Sequence, residues 1–262
     1  MWDPGQYQRF AGERGRPFFD LIAQVGATQP GYVVDLGCGP GNLTAVLAQR
    51  WPGAEVAGVD DSPEMIAVAE GEAAKAPGRL SFTVGDVRDW QPARPPDVVV
   101  CNAVLQWVPS HLEVITRWAG LLAAGGWLAL QVPGNFDQPS HAILRELAAS
   151  GRWRPLLTGV QLNRQSASPA EYLDLLARAG CEVNAWETTY LHVLQGEDPV
   201  LEWYRGTGLR PVLARLDAEH AREFMAQYAD LTRKAYPAAP YGTVLEFRRV
   251  FAVAHRPGRR HA

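Results

Sequence analysis

Apolar residues in the first half of the chain follow two alternating patterns. Short runs rich in apolar residues predict strands at residues 33–36, 55–60, 80–84, 97–101 and 127–132, and the run at 97–101 is continuous, as expected of a strand buried on both faces. Between these runs, apolar residues recur every three or four positions, which predicts helices at 18–25, from about 42, at 63–74 and at 110–123. Strands that alternate with helices are typical of a parallel sheet with helices on both faces. The pattern therefore predicts an α/β fold.

The alternation stops twice in the second half. Residues 133–170 are rich in Pro, Gly, Asn and Ser, and residues 196–242 form a second irregular segment. The elements predicted in this half are helices at 141–149 and 170–179 and strands at 182–194 and 244–254. We expect the two irregular segments to form one helical lid over a ligand crevice, since both lie near one edge of the sheet.

These patterns set the predicted domain boundaries. The α/β core comprises 1–132, 171–195 and 243–256, the substrate-binding lid comprises 133–170 and 196–242, and 257–262 is a disordered tail.

A glycine-rich turn follows the first predicted strand. Gly37, Gly39 and Gly41 leave no Cβ to hold a ligand away from the backbone. The helix that starts near Asn42 adds main-chain N–H groups at its N-terminus. The sequence therefore predicts a ligand site at this turn, with the acidic Asp35 immediately before it.

The acid before the turn bears on the charge of the ligand. A dinucleotide-binding turn reads G-x-G-x-x-G, whereas here the third glycine comes one residue early, at Gly41. A carboxylate at Asp35 would repel a pyrophosphate but suits a cation. S-adenosylmethionine carries an ammonium and a sulfonium, so the charge pattern favours this cofactor over a nicotinamide dinucleotide.

Acidic residues also end the next two predicted strands. Asp60 closes the second strand, where a carboxylate can accept two ribose hydroxyls, and Gly85-Asp86 follows the third. Helix capping or a turn would explain any one of these acids. Three at successive strand ends are better explained by a binding site.

These residues resemble the class I S-adenosylmethionine-dependent methyltransferases. The resemblance implies a Rossmann-like sheet, mostly parallel with its last strand antiparallel, flanked by helices on both faces. It implies that Asp35 and the glycine turn hold the methionine part, Asp60 the ribose, and Asp86 with Val87 the adenine. Met65 reads equally well as a residue beside the adenine or as a core methionine. The expected cofactor-binding residues are Asp35, Gly37, Cys38, Gly39, Gly41, Asn42, Asp60, Asp61, Met65, Gly85, Asp86, Val87, Asn102 and Ala103.

Longer strings resemble one family within that superfamily, the trans-aconitate methyltransferases. The strings are Asn102 to Val108, Gln131 to Asn135, Trp186 to Tyr190, Gly206 to Pro211 and Phe247 to Phe251. The resemblance implies methyl transfer to one carboxylate of trans-aconitate, which yields a monomethyl ester and S-adenosylhomocysteine. No residue decides between the 2- and the 3-methyl ester, and we expect the 2-methyl product of the bacterial form.

This chemistry needs no catalytic acid or base. A carboxylate with a pKa of about 4 is already a nucleophile at neutral pH. Holding it in line with the S–CH₃ bond can supply roughly 7–11 kcal/mol of the barrier. Removing a trianion from water, however, calls for paired donors.

Donors and aromatic residues in and near the predicted lid are the expected substrate contacts. Arg205 and Arg210 are the first candidates, although a solvent-facing role explains each lid arginine equally well. For His141, a position on the surface is favoured over a contact with the substrate. Trp107 could be a core aromatic residue instead of a site residue. The full set is Tyr7, Arg14, Gln106, Trp107, His141, Tyr190, Trp203, Arg205, Arg210, Tyr241 and Arg248.

Composition excludes several other classes of protein. The net charge is −3, and Lys and Arg cluster only in the tail, which disfavours nucleic acid as a partner. The 3 cysteines are far apart, which disfavours disulfides and a metal site. Residues 1–30 contain no apolar signal region, and the sequence contains no apolar run long enough to span a membrane, so we expect neither a signal peptide nor a membrane anchor. We expect a cytoplasmic enzyme, monomeric or weakly dimeric, that acts on a small tricarboxylate.

Three alternatives stay open. The chain could methylate a different small carboxylic acid, bind S-adenosylmethionine without turnover, or, least favoured, bind a nicotinamide cofactor.

Overall fold

The structure is a computed structural model that describes residues 11–75, 78–162 and 166–258, with side chains from residue 15 onward. Tyr7, the side chain of Arg14 and residues 259–262 of the tail lie outside the described part. The helices are α1 (Ala11–Ala23), α2 (Asn42–Arg50), α3 (Pro63–Ala73), α4 (His111–Leu121), α5 (Pro139–Ala149), α6 (Pro169–Arg178), α7 (Pro199–Arg205), α8 (Arg210–Leu213) and α9 (Ala218–Ala235). The strands are β1 (Tyr32–Leu36), β2 (Glu55–Asp60), β3 (Leu80–Val84), β4 (Val98–Asn102), β5 (Trp127–Pro133), β6 (Glu182–Leu194), β7 (Ala238–Ala239) and β8 (Gly242–His255).

One sheet organises the fold, with its strands in the order β3-β2-β1-β4-β5-β8-β6 and the short β7 paired to β8. The strands from β3 to β5 are parallel, and β8 runs antiparallel to both β5 and β6. The predicted α/β class, with a Rossmann-like, mostly parallel sheet and an antiparallel last strand, is confirmed. The first and the fourth strand are neighbours, so their carboxyl ends border the crevice that this topology creates.

Each face of the sheet has its own hydrophobic core. Val33 and Val98 pack with Phe18 of α1 and Leu47 of α2. On the other face, side chains such as Val34 pack against α4 and α6. Burial on both faces explains why β4 reads as a continuous apolar run in the sequence. None of the helices within the described ranges is long and apolar enough to cross a membrane.

Most predicted element bounds agree closely with the structure, but α1, predicted at 18–25, begins at Ala11 and ends at Ala23. β2, β3 and β6 have the predicted limits. Strand β4 lies one residue later than predicted. Helix α5 begins earlier, at Pro139, because a proline suits the first helical turn.

The largest difference lies in residues 196–242, which the sequence analysis treated as irregular. Residues Ala218–Ala235 form an 18-residue helix, α9. The side chain of Asp217 caps it by accepting hydrogen bonds from the N–H groups of Glu219 and His220. The buried residues Phe224, Tyr228 and Thr232 lie on one face of α9, and Phe224 and Tyr228 pack with α5 and α7 in a third apolar cluster. The two predicted insertions therefore share one apolar interior.

The packing of α9 yields a stability prediction. Phe224 is fully buried, and truncation to Ala would leave a cavity in the third cluster. We expect Phe224→Ala to lower the free energy of unfolding by about 3–5 kcal/mol in urea titrations. The control is Leu231→Ala on the same helix, where the side chain is exposed and the loss should stay within about 0.5 kcal/mol. Equal losses for the two variants would contradict this packing.

Candidate functional site

The glycine turn is fixed to the end of β2. The N–H groups of Gly37 and Cys38 donate to the carbonyl oxygen of Val59, at 2.7 and 3.0 Å. The N–H of Gly39 donates to Oδ2 of Asp60 at 2.9 Å. The loop after β1 therefore takes its shape from the acid that ends the neighbouring strand.

The three glycines of the turn serve different physical purposes. A Cβ on Gly37 would lie 2.0 Å from Cγ2 of Val104, and one on Gly41 would lie 2.7 Å from Cζ of Phe82, so both sites require close packing. A Cβ on Gly39 would have nothing within 4 Å. All three have positive φ angles, which glycine adopts without strain. Of the three, Gly39 keeps the backbone open toward the space in front of the sheet.

Asp35 lies beneath this turn and is 3% exposed. Its Oδ2 accepts a hydrogen bond of 2.6 Å from the hydroxyl of Thr44. Burial raises the pKa of Asp35 to about 6, and the hydrogen bond from Thr44 opposes this change only in part. Burial also raises the pKa of Asp60. Two poorly hydrated carboxyl groups at one edge of the sheet favour a cationic ligand.

The largest space at this edge is a cleft of about 360 Å³, here named the outer cleft, which is within the range of small-molecule pockets. Most residues expected to bind a cofactor line it: Gly37, Gly39, Asp60, Asp61, Met65, Asp86, Val87, Asn102 and Ala103. The sequence analysis missed four further lining residues, Pro40, Arg88, Val104 and Val108.

Five expected cofactor residues do not line the outer cleft: Asp35, Cys38, Gly41, Asn42 and Gly85. The structure gives these residues other positions in and around the glycine turn and the strand ends. Asp35 lies under the turn, and the buried Cys38 has its sulfur beside Gly58. Asn42 opens helix α2, and the N–H of Gly85 donates to the carbonyl of Asp60.

Asp86 reaches the outer cleft as part of an ion pair. Its carboxylate accepts hydrogen bonds from the backbone N–H and the guanidinium of Arg88. These bonds hold the pKa of Asp86 below its ordinary value. Its expected contact with an adenine amino group would have to coexist with this pair.

A smaller cavity of about 90 Å³, here named the inner cavity, adjoins the outer cleft. Asn102, Ala103 and Trp107 line both spaces, so the two meet at the end of β4. Ala103 has a φ of 59°, a conformation that costs a non-glycine residue about 1–3 kcal/mol and is often associated with function. The side-chain amide of Gln106 donates a hydrogen bond of 2.7 Å to the carbonyl oxygen of Ala103.

Two side-chain oxygens at this junction are buried acceptors. Oδ1 of Asn102 and Oε1 of Gln106 have no hydrogen-bond partner among the residues that the structure describes. Buried acceptors of this kind are nearly always satisfied in proteins. Each can receive a donor from a ligand in the adjoining space.

A hydrogen-bonded frame supports the far wall of the inner cavity. The hydroxyl of Tyr204 accepts hydrogen bonds from the amide of Asn135 and the hydroxyl of Ser140, both at 2.9 Å. His141 packs edge-on against the rings of Phe136 and Tyr204, each at 5.1 Å. This wall joins the end of β5 to helices α5 and α7.

The expected substrate residues fall into two groups. Gln106, Trp107, His141 and Trp203 line the inner cavity, while Arg210 lines the outer cleft. The surface position favoured for His141 is wrong, because this side chain is only 8% exposed. Arg210 is half-buried, and this burial lowers the pKa of its guanidinium.

Tyr190, Arg205, Tyr241 and Arg248 do not line either space, and the structure gives each another environment. The hydroxyl of Tyr190 donates to Asp20, and Arg205 forms an exposed ion pair with Glu202. Arg248 forms ion pairs with Asp137 and Glu187. Tyr241 is largely exposed.

The sequence analysis missed Arg249, which lines the inner cavity and is 6% exposed. A signal was present: side chains alternate along a strand, so position 249 shares a face with the buried Phe247 and Phe251. The other lining residues that were not predicted are Pro133, Asn135, Phe136, Tyr204, Thr207, Gly208 and Phe247.

Two observations restrict the chemistry of the site. Burial raises the pKa of the Cys38 and Cys101 thiols, which keeps both protonated and poorly nucleophilic. Across the described ranges, no group of three or more His, Cys, Asp or Glu side chains could hold a metal ion. The arrangement can bind, orient and desolvate two ligands that meet at Asn102 and Ala103.

Comparisons with known proteins agree with this geometry. A family described as "Methyltransferase domain" matches residues 7–185. A trans-aconitate 2-methyltransferase of Streptomyces avermitilis is 53% identical over 260 residues, covering 97% of each chain. One from Mycobacterium sp. strain KMS is 54% identical over 257 residues, covering 97% of this chain and 99% of the relative. The fold is similar to the crystal structure of the YcgJ protein of Bacillus subtilis, with a TM-score of 0.61, 15% identity and coverage of 92% and 98%.

The burial of Asp35 yields a prediction about stability and pH. Because its pKa is about 6 when folded and near 3.8 otherwise, the folded state binds more protons between these values. The contribution of Asp35 to stability therefore falls as the pH rises from 4 to 7, by up to about 3 kcal/mol. Asp35→Asn keeps a side-chain oxygen that can accept the hydrogen bond from Thr44, and it removes the fall in stability with rising pH because Asn does not ionise. We expect its stability relative to wild type to rise by about that amount between pH 4 and 7.5.

Urea unfolding of both proteins at the two pH values measures this difference. Asp137→Asn, at an exposed carboxylate, is the control and should follow wild type within about 0.5 kcal/mol. A difference between Asp35→Asn and wild type that stays constant with pH would contradict the ionisation assigned to Asp35.

Proposed function

The chain belongs to the methyltransferase family that includes the trans-aconitate 2-methyltransferases, and from this premise we propose that it methylates one carboxylate of trans-aconitate. The methyl donor is S-adenosylmethionine, and the products are the 2-methyl ester and S-adenosylhomocysteine. The observation that carries this proposal is the placement of charge: acidic residues line the outer cleft, and a buried arginine lines the inner cavity that opens from it. A cationic donor and an anionic acceptor would therefore meet at Ala103.

The residues of the outer cleft fit the donor. The open backbone at Gly39 leaves room for its methionine part, and the buried carboxylate of Asp35 and the half-buried carboxylate of Asp60 favour its positive charges. Asp60 also lies where a carboxylate accepts ribose hydroxyls. The unpartnered oxygen of Asn102 can accept from the ammonium group. When bound, S-adenosylmethionine supplies a methyl group made electrophilic by its sulfonium.

The residues of the inner cavity and Arg210 fit the acceptor. A carboxylate is ionised at neutral pH, so the chain need only remove its water and orient one oxygen. Trp107 lines both spaces, so its indole lies at their junction. Arg210 lies across the outer cleft and offsets the cost of desolvating an anion. We assign no residue as a general base or nucleophile.

The helices of the two insertions act as the lid in this proposal. α5 and α7 supply His141, Trp203 and Tyr204 to the inner cavity, and α8 supplies Arg210 to the outer cleft. The cytoplasm as location, a monomeric or weakly dimeric state and the absence of nucleic-acid partners stay predictions of the sequence.

The direct test is to incubate the protein with S-adenosylmethionine and trans-aconitate. We expect S-adenosylhomocysteine and a monomethyl ester, whose mass exceeds that of the acid by one methylene group. We expect NMR to locate the new methoxy group at the 2-carboxylate. If the protein methylates another acid from a panel of di- and tricarboxylates but not trans-aconitate, that acid is the substrate and the assignment of trans-aconitate is overturned. If the protein binds S-adenosylmethionine but forms no ester from any of these acids, it is a binding protein and not an enzyme.

Two lid arginines separate substrate binding from surface charge. Arg210→Met should raise the KM for trans-aconitate by about 10-fold or more, since a hydrogen bond to a charged group contributes about 1.5–3 kcal/mol. Its dissociation constant for S-adenosylhomocysteine should change less than about threefold. Arg205→Met is the matched control, because that side chain pairs with Glu202 at the surface and lines neither space. Steady-state kinetics and calorimetry give both quantities, and equal KM values for the two variants would overturn the assignment of Arg210.

A further inference from the structure

Arg249 occupies an unusual position for an arginine. It lies on β8, with its Cα opposite Pro133 of β5 and Thr188 of β6, at the carboxyl edge of the sheet. The residue is 6% exposed and lines the inner cavity. Its guanidinium carbon is 4.3 Å from the ring centroid of Phe247. A cation held at this depth produces a strong positive potential in the adjacent space, because little water is present to screen it.

Charge is segregated between the two connected spaces. Among the described residues that line the inner cavity, Arg249 is the one Lys or Arg. The neutral donors and acceptors beside it include the amides of Gln106 and Asn135. The outer cleft, by contrast, carries three acids, Asp60, Asp61 and Asp86, against two arginines, Arg88, which pairs with Asp86, and Arg210. An anionic group is therefore favoured in the inner cavity and disfavoured next to the acids of the outer cleft.

The size of the inner cavity limits what can enter it. It holds about 90 Å³, against about 360 Å³ for the outer cleft. A short arm that ends in a carboxylate fits such a space, whereas a tricarboxylate and its methyl donor together need the outer cleft as well. The planar guanidinium of arginine matches a carboxylate through two parallel hydrogen bonds.

We propose that Arg249 binds a carboxylate of the acceptor other than the one that is methylated, and that it thereby selects acids with more than one carboxylate. The inference rests on the proposed function and adds a residue that determines specificity. The arm held by Arg249 would fill the inner cavity, and the reacting carboxylate would stay at the junction formed by Asn102, Ala103 and Trp107.

The test compares Arg249→Met with Arg248→Met, one residue earlier on the same strand. Arg248 lies on the opposite face, pairs with Asp137 and Glu187, and lines neither space. Calorimetry measures the affinity of trans-aconitate for each protein saturated with S-adenosylhomocysteine, and kinetics measures KM and kcat. We expect Arg249→Met to weaken binding and raise KM by about 10- to 140-fold, whereas Arg248→Met stays within about threefold of wild type.

Two dicarboxylates extend the test to specificity. Each lacks one of the two carboxylates of trans-aconitate that are not methylated. For the acid that lacks the carboxylate held by Arg249, wild type and Arg249→Met should have the same kcat/KM within about twofold. The other acid should show the full loss. A general structural defect would instead lower kcat/KM equally for all three acids.

A conservative variant keeps the test decisive if Arg249→Met does not fold. Arg249→Lys retains the charge without the two-pronged geometry, and we expect an intermediate loss of about 10-fold with trans-aconitate. Affinity for S-adenosylhomocysteine within twofold of wild type confirms that a variant is folded.

The two proposals fail in different ways. If the Arg249 variants turn over trans-aconitate as well as the wild type does, the role of Arg249 is overturned, but the proposed reaction is not. Equal losses with all three acids would do the same. A folded wild-type protein that forms no ester from trans-aconitate would overturn the proposed function, and the inference with it.

Discussion

The rest of the site depends on a carboxylate that is kept away from water. Asp35 ends the buried part of β1 and lies beneath the glycine turn, with the hydroxyl of Thr44 as a donor. Its raised pKa shows that a negative charge there is costly in the folded protein. A cation bound nearby lowers that cost. The stability lost in burying Asp35 thus becomes binding energy for a positively charged ligand.

The same principle, with opposite sign, describes the inner cavity. There a buried guanidinium lies among aromatic rings and neutral amides. The strand ends that carry the acids belong to parallel strands, whereas Arg249 reaches the same edge because β8 runs antiparallel. One antiparallel strand therefore brings a basic residue to an edge that the parallel strands make acidic. In the proposed reaction, the two ligands of opposite charge meet where these regions join.

Much of the fold could be predicted from the sequence because the buried strands are local signals. β2, β3 and β6 have the predicted bounds, and the acids Asp60 and Asp86, at and just after the ends of β2 and β3, mark one edge of the sheet. Helix α9 was missed although it has an N-cap and buried residues with helical spacing, since its aromatic residues were read as an irregular segment. The inner cavity was harder to predict. Its residues come from β4, β5, α5, α7 and β8, so only tertiary packing brings them together. At Arg248 and Arg249, the period of two along the strand would have identified the inward-facing residue.

The most direct test of this account is calorimetric titration of the wild-type protein with S-adenosylmethionine at pH 7.5 and pH 5. We expect saturable binding to one site at pH 7.5, and an affinity lower by up to about tenfold at pH 5, because Asp35 must lose a proton before it can stabilise a cation there. No binding at either pH, or an affinity that does not change between them, would contradict the claim that a buried carboxylate provides the site for the methyl donor.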